Sequence, residues 1–76
     1  MSDQQRLDVK GLRCPMPIVK IAKAMKEMVV GQTLEVVATD PVFRPDLEAW
    51  CRKTGQHLVS VSDKDGSTIA VLEKKV

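Results

Sequence analysis

A cysteine within a short run of glycine and prolines is the residue best suited to do chemistry. Cys14 stands in the run GLRCPMP, residues 11–17. A cysteine attacks as its thiolate, and the pKa of the thiol falls at a helix N-terminus and beside cations. Pro15 suits the first position of a helix, because a proline there forfeits no hydrogen bond, and this predicts Cys14 as the N-cap. With Arg13 adjacent, we expect a stabilised thiolate at a site that would also hold a persulfide, which is more acidic than a thiol.

The sequence offers Cys14 no companion for a self-contained reaction. The only histidine, His57, begins a predicted strand, and nothing places it beside Cys14. The second cysteine, Cys51, shares a predicted helix face with Leu47 and Trp50, so a buried core thiol is favoured over a second sulfur site or a resolving thiol. Neither metal-ligand spacing nor a cofactor loop is present, and we expect neither metal nor cofactor. Such a site suits a group carrier whose reaction is completed by the partner's residues.

Alternating strand and helix patterns must position this cysteine. Period-two alternation and β-branched residues predict strands over 6–10, 33–39, 57–62 and 68–73. A first helix starts at Pro15, and a second begins near Pro45 and ends at Gly55. Asp65 and Gly66 predict a hairpin between the last two strands. The order β-α-β-α-β-β, with right-handed crossovers, predicts an α/β (α+β) two-layer sandwich in which two helices cover one face of a four-stranded mixed sheet.

Composition indicates one small globular domain. The chain has 76 residues, 43% hydrophobic and 29% charged, with a formal net charge of +2. We expect a single domain over 1–76, with 1–5 as a flexible N-terminus, and a monomer. One Trp, one Phe and no Tyr are too few aromatics to stack bases, so direct nucleic-acid binding is not expected. No apolar run is long enough to span a membrane, and the polar N-terminus lacks the apolar core of a signal peptide, which favours the cytoplasm.

Basic residues are concentrated around Cys14. Residues 9–26 contain no acidic residue. The same segment contains five basic residues: Lys10, Arg13, Lys20, Lys23 and Lys26. Lys20 and Lys23 lie opposite the apolar stripe of the first helix, which consists of Ile18, Ile21, Ala22, Met25 and Met28. Such a face is usually only solvated, but its position beside Cys14 favours a docking surface for acidic partners, with Met16 exposed nearby. Asp40 and Asp46 are typical turn and cap residues, and they could also shape partner contacts.

Four groups of residues together resemble the TusA/SirA-type sulfur carrier family. They are Leu7-Asp8-x-x-Gly11-Leu12-Arg13-Cys14-Pro15-x-Pro17, Gly31-x-x-Leu34, Asp40-Pro41 and Asp46-Leu47-x-x-Trp50-Cys51. The Cys-Pro-x-Pro element in its Gly-Leu-x-Cys setting is specific, and the similarity runs over nearly the whole chain. The β-α-β-α-β-β order also fits the fold of that family.

The resemblance implies a sulfurtransferase that works as a carrier within a relay, not as a self-sufficient enzyme. Cys14 would accept sulfane sulfur as a persulfide from a cysteine desulfurase or a rhodanese-like donor. It would pass the sulfur to a reactive cysteine of a DsrE/TusD-like or heterodisulfide-reductase-like acceptor. In the family this serves tRNA 2-thiouridine synthesis, molybdenum cofactor biosynthesis or dissimilatory sulfur oxidation.

Other positions acquire expected roles from the resemblance or from their place beside Cys14. The resemblance implies partner docking by Arg13 and Asp40, and the positions of Met16, Lys20 and Lys23 beside the cysteine predict docking for them as well. Structural roles at the motif are expected of Asp8, Gly11, Pro15, Pro17 and Asp46. The chain departs from the pattern at Gly55-Gln56, where many members carry Gly-His, so the role of that histidine is not transferred to His57.

Two other functions are compatible with the sequence. A regulatory or RNA- or protein-binding module without sulfur chemistry would use the lysine face, although the weak net charge and missing aromatics count against it. A thiol redox protein would pair Cys14 with Cys51, but nothing in the sequence brings these two sulfurs within bonding distance. We therefore rank the sulfur carrier first and the redox protein third.

Overall fold

The computed structural model describes residues 4–76. Its elements follow in the order β1 (Gln4–Val9), α1 (Met16–Lys26), β2 (Thr33–Ala38), α2 (Phe43–Thr54), β3 (His57–Lys64) and β4 (Ser67–Glu73). The predicted β-α-β-α-β-β order is confirmed. Of the expected flexible segment 1–5, residues 4 and 5 belong to β1, and the remainder lies outside the described residues.

The four strands form one mixed sheet in the order β1-β2-β4-β3. β1 runs parallel to β2, with Leu7 opposite Val36, while β4 pairs antiparallel with both β2 and β3. The predicted hairpin joins β3 to β4, and Asp65 and Gly66 both have positive φ, 52° and 81°. Two central residues with positive φ give the turn a twist that matches the flanking strands. The mixed four-stranded sheet is therefore confirmed.

One layer of apolar side chains joins the sheet to the two helices. In β2 alternate residues are buried, so that Leu34, Val36 and Ala38 face the helices. The helices contribute Ile21 from α1 and Leu47 from α2, both fully buried. Burying a side chain of this size is worth ~1.5–3 kcal/mol, so these contacts hold both helices on the same face of the sheet.

The helix boundaries differ from the prediction where the chain turns before each helix. Cys14 is not the N-cap of α1, as predicted; Pro15 is, and it makes no side-chain cap hydrogen bond. The Met16 N–H donates to the Arg13 carbonyl at 2.8 Å. Pro15, which was expected to be the first helical residue, therefore lies in a tight turn that precedes the helix. α2 begins at Phe43, which leaves Pro45 in its first turn, where a proline is tolerated.

Candidate functional site

Cys14 is exposed in the turn between β1 and α1. Because β1 and β2 are parallel neighbours, their carboxyl ends lie at the same edge of the sheet. The residues that follow β2 therefore meet the residues that follow β1. The Gly11 N–H, for example, donates to the Thr39 hydroxyl at 2.9 Å. Gly11 itself has φ of +82°, a left-handed conformation that other residues rarely adopt.

Asp40 joins the Cys14 turn to the start of α2. Its side chain is buried, with 7% exposed. One carboxylate oxygen, Oδ2, accepts the Cys14 N–H at 2.8 Å, and Oδ1 accepts the Val42 N–H at 3.3 Å. Its main-chain carbonyl accepts the Phe43 N–H at 3.0 Å. The sequence suggested Asp40 for partner contact; in the folded chain its carboxylate is turned inward and bonded to the backbone of the reactive turn.

Asp46 brings a second carboxylate to the reactive sulfur. It lies in the first turn of α2 and is half-buried. A hydrogen bond to Asp46 is the main cause that raises the pKa of the Cys14 thiol, with further contributions from desolvation and from the charges of Asp46 and Asp40. The sequence prediction of a lowered pKa was therefore wrong. The helix starts two residues later than the thiol, and the charged groups that act on the sulfur are acidic.

Four of the expected docking residues lie in this turn or along α1, and all four are exposed. Arg13, Lys20 and Lys23 are exposed, and none of them forms an ion pair within the described part of the chain. Met16 is 42% exposed, as an apolar contact residue should be. The basic face of α1 is thus available to a partner.

Two apolar residues near the site were missed by the sequence analysis. Val19 is 49% exposed one turn into α1, and Val42 is 44% exposed beside Asp40. The signal for Val19 was an apolar residue directly preceding Lys20, outside the apolar stripe. No comparable signal identified Val42, because its exposure depends on how the turn before α2 folds.

The motif residues with expected structural roles differ in their exposure and backbone geometry. Asp8 is exposed, and its Oδ1 accepts the Lys10 N–H at 2.9 Å at the end of β1. Pro17 is buried in the first turn of α1. The Cys14–Pro15 peptide bond is cis.

Cys51 and His57 lie together, in a different place from the reactive turn. They help line an open groove of about 350 Å³ beside α2. Cys51 is buried, and burial raises the pKa of its thiol, which confirms the prediction of a core cysteine. The His57 ring lies 3.4 Å from a carboxylate oxygen of Glu73, not beside Cys14. Both cysteines are free thiols.

Among residues 4–76, no group of three or more His, Cys, Asp or Glu side chains could hold a metal ion. In the same range, no helix is long and apolar enough to cross a membrane.

The sequence profile of one protein family covers almost the entire chain. The family is the sulfurtransferase TusA family, and it matches residues 5–74. The sulfur carrier protein TusA of Allochromatium vinosum is 37% identical over 70 residues, which are 92% of each chain. A candidate sulfur carrier protein of Neisseria meningitidis is 42% identical over 73 residues, 96% of this chain and 99% of that protein. In a candidate sulfur carrier protein of Aquifex aeolicus, 39% identical over 74 residues, the match covers 97% of this chain but 38% of that longer protein.

A solved structure shares the same architecture. The SirA-like protein of Desulfitobacterium hafniense superposes with a TM-score of 0.81, covering 93% of this chain and 97% of its own, at 22% identity. A likeness at this identity concerns the fold, and it confirms the predicted two-layer sandwich.

Proposed function

Since the chain belongs to the TusA family of sulfur carrier proteins, we propose that Cys14 carries sulfane sulfur as a persulfide between two other proteins. In loading, the Cys14 sulfur bonds to the outer sulfur of the donor's persulfide and gives up its proton. The donor's S–S bond breaks, and the donor leaves as a thiolate. In delivery, a thiolate of the acceptor attacks the outer sulfur of the Cys14 persulfide. The S–S bond of Cys14 breaks, the acceptor keeps the outer sulfur as a persulfide, and Cys14 leaves as a thiolate that takes a proton from solvent.

The observation that carries this proposal is an exposed thiol beside which residues 4–76 place neither a histidine nor a second cysteine. The side chains that act on Cys14 are two carboxylates, Asp40 and Asp46. Histidine and the second cysteine lie together in the groove beside α2. A hydrolase would need a base such as histidine beside the nucleophile, and a disulfide enzyme would need a resolving thiol. A carrier needs neither, because its partners supply the rest of each reaction.

The surface around the thiol supports docking of a partner. Exposed cations and exposed apolar side chains lie in the turn, on α1 and just before α2. The cations are Arg13, Lys20 and Lys23, and the apolar side chains are Met16, Val19 and Val42. Aliphatic contact area at the centre with charge around it is the usual composition of a transient interface. We propose that both donor and acceptor present acidic side chains to the α1 face.

The partners follow from the chemistry of the cargo. The donor would be a cysteine desulfurase or a rhodanese-like protein, and the acceptor a DsrE/TusD-like or heterodisulfide-reductase-like protein with a reactive cysteine. The relay would act in the cytoplasm, in tRNA 2-thiouridine synthesis or in dissimilatory sulfur oxidation. The carrier would work as a monomer, since each transfer needs Cys14 open to a different protein.

The decisive test is intact-protein mass spectrometry after incubation with a cysteine desulfurase, pyridoxal phosphate and cysteine. We expect a gain of ~32 Da that disappears on reduction. The gain should be absent from Cys14→Ser and present in Cys51→Ser, which serves as the matched control. A sulfur adduct that survives Cys14→Ser would refute the role of Cys14. Tight, salt-sensitive RNA binding that is unaffected by Cys14→Ser, with no adduct, would instead support the binding module.

A further inference from the structure

A second open groove lies between the last turns of α1 and α2. Its volume is about 260 Å³, and it is lined from α1 by Ala22, Met25 and Lys26, from α2 by Trp50, and from the segment after β4 by Lys74. The 11 residues of α1 span ~16 Å at a rise of ~1.5 Å per residue. The groove therefore lies at the opposite end of the helix from the reactive turn.

We propose that this groove is a second docking site, which binds an acidic peptide segment of a partner protein in the relay through an apolar side chain. The identity of that partner rests on the proposed carrier function, whereas the preference of the groove for such a segment is a property of the groove alone. A partner anchored at this end of α1 leaves the Cys14 sulfur open to its own reactive cysteine.

The size and the floor of the groove suit a side chain better than a cofactor. Sites for small molecules usually have volumes of ~300–1,000 Å³, whereas this groove has about 260 Å³. Met25 is buried at its floor, and Trp50 packs against the core while part of its ring stays exposed. Tryptophan is among the residues that contribute most to the affinity of protein interfaces. An apolar side chain of a partner would pack against both residues.

Hydrogen bonds hold the third wall of the groove, residues 74–76, in place. The Lys75 N–H donates to Gln56 Oε1 at 2.8 Å, and Gln56 Nε2 donates to the Val76 carbonyl at 3.2 Å. The Gly31 N–H donates to the Lys74 carbonyl at 2.9 Å. Because this wall is already fixed in the free protein, binding in the groove costs little ordering of the carrier.

The charge of the groove selects an acidic segment. Lys74 Nζ donates to the Met25 carbonyl at 2.6 Å, and Lys26 is exposed, but neither lysine forms an ion pair within residues 4–76. Glu27 follows Lys26 in the chain, yet the described residues that line the groove include no acidic one. Each helix contributes roughly half a negative charge at its carboxyl end, which the two full positive charges outweigh.

The groove also continues the basic face of α1. Lys20, Lys23 and Lys26 are three residues apart and exposed, so they form one row along the helix. This row leads from the reactive turn, where docking is already proposed, to the rim of the groove. One acidic partner surface can therefore contact the row while its apolar side chain occupies the groove.

The test is a fluorescence titration, because Trp50 is the only tryptophan of the chain and lines the groove. The probes are blocked hexapeptides in which leucine and glutamate occur in every order. We expect a saturable shift of the Trp50 emission to shorter wavelength with at least one order, since a bound leucine removes water from the indole. The same peptides with glutamine in place of glutamate should bind roughly fivefold more weakly at low salt, and the difference should shrink as salt is added.

Two variants locate the binding. Lys26→Glu should weaken binding of the acidic peptides by roughly fivefold at low salt, and Ala22→Leu, which fills the groove from α1, should abolish it. Lys64→Glu changes the net charge equally at an exposed position on β3, so it is the matched control and should bind as the wild type does.

An unchanged emission with every peptide order would overturn the proposal, as would equal binding of the glutamine peptides or equal weakening by Lys64→Glu. A shift caused by oligouridylate RNA but not by the peptides would also overturn it and assign the groove to nucleic acid. The titration uses no sulfur donor. A failure of sulfur loading therefore refutes the carrier function without affecting the peptide result, and a failure of peptide binding leaves the loading of Cys14 unaffected.

Discussion

Asp40 fixes the backbone of Cys14 from 26 positions further along the chain, through a hydrogen bond of 2.8 Å from the Cys14 N–H to Oδ2. The second oxygen accepts the Val42 N–H, so one buried side chain joins the reactive turn to the beginning of α2. A carboxylate is stable in a buried position only when hydrogen bonds replace its lost water. Cys14 is therefore exposed at its sulfur and restrained at its main chain.

Removing the Asp40 carboxylate should reduce both stability and sulfur transfer. Asp40→Ala leaves the N–H groups of Cys14 and Val42 without their acceptor, and each unsatisfied group costs ~1–3 kcal/mol where water cannot replace the bond. We expect a lower free energy of unfolding in urea and a slower gain of sulfur mass. Asp63→Ala, at an exposed carboxylate paired with Arg44 at 3.5 Å, should cost less than ~1 kcal/mol. Equal losses for the two variants would contradict the role given to Asp40.

The two cysteines should differ sharply in reactivity toward Ellman's reagent. Cys14 is exposed, and Cys51 is buried against the core. The native protein should therefore release about one equivalent of the coloured thiolate, and the unfolded protein two. Cys14→Ser should leave the native protein unreactive, whereas Cys51→Ala should react as the wild type does. Rapid reaction of Cys51 in the native state would contradict the burial of its thiol.

The fold could be predicted because its signals are local. Alternation in β2, the Asp65-Gly66 turn and the left-handed Gly55 that ends α2 each specify a conformation within a few residues. Hydrophobic periodicity then predicts which faces of the helices pack against the sheet. The rule that crossovers are right-handed leaves few ways to connect β1 to β2. These features agree with one another, and the order of elements follows from them.

The electrostatics of the site could not be predicted in the same way. The sequence places Arg13 next to Cys14, and proximity along the chain suggested a cationic environment. In the folded chain the charges that act on the sulfur are instead those of Asp40 and Asp46, which follow β2 in the chain. Their distance from Cys14 depends on the parallel pairing of β1 with β2 and on the angle at which α2 leaves the sheet. Neither quantity has a signature in the residues around the cysteine.

Reversing the charge of the α1 face should slow sulfur transfer without altering the thiol. Lys20→Glu with Lys23→Glu removes two exposed cations that have no ion pair among the described residues. If partners present acidic groups there, the association rate should fall by roughly tenfold at low salt and the difference should shrink as salt is added. Stopped-flow or timed mass measurements of loading would show this, with unchanged iodoacetamide reactivity. Lys53→Glu on α2 is the control, and an equal effect from it would indicate a general charge effect, not docking.

The contribution of the buried Cys51 thiol to the free energy of unfolding should decrease at alkaline pH. Burial raises the pKa of its thiol above the ordinary value of 9.0, so the unfolded chain loses this proton at a lower pH than the folded chain does. The contribution of the neutral buried thiol to stability is therefore complete below pH 9.0 and is lost as pH rises toward the folded-state pKa. Cys51→Ala, which should cost ~1 kcal/mol at pH 7, removes this dependence. The measurement is urea unfolding of the wild type and Cys51→Ala from pH 7 to pH 10.5. The difference between their free energies of unfolding should narrow above about pH 9. A constant difference would mean that the Cys51 thiol ionises equally in the folded and unfolded states.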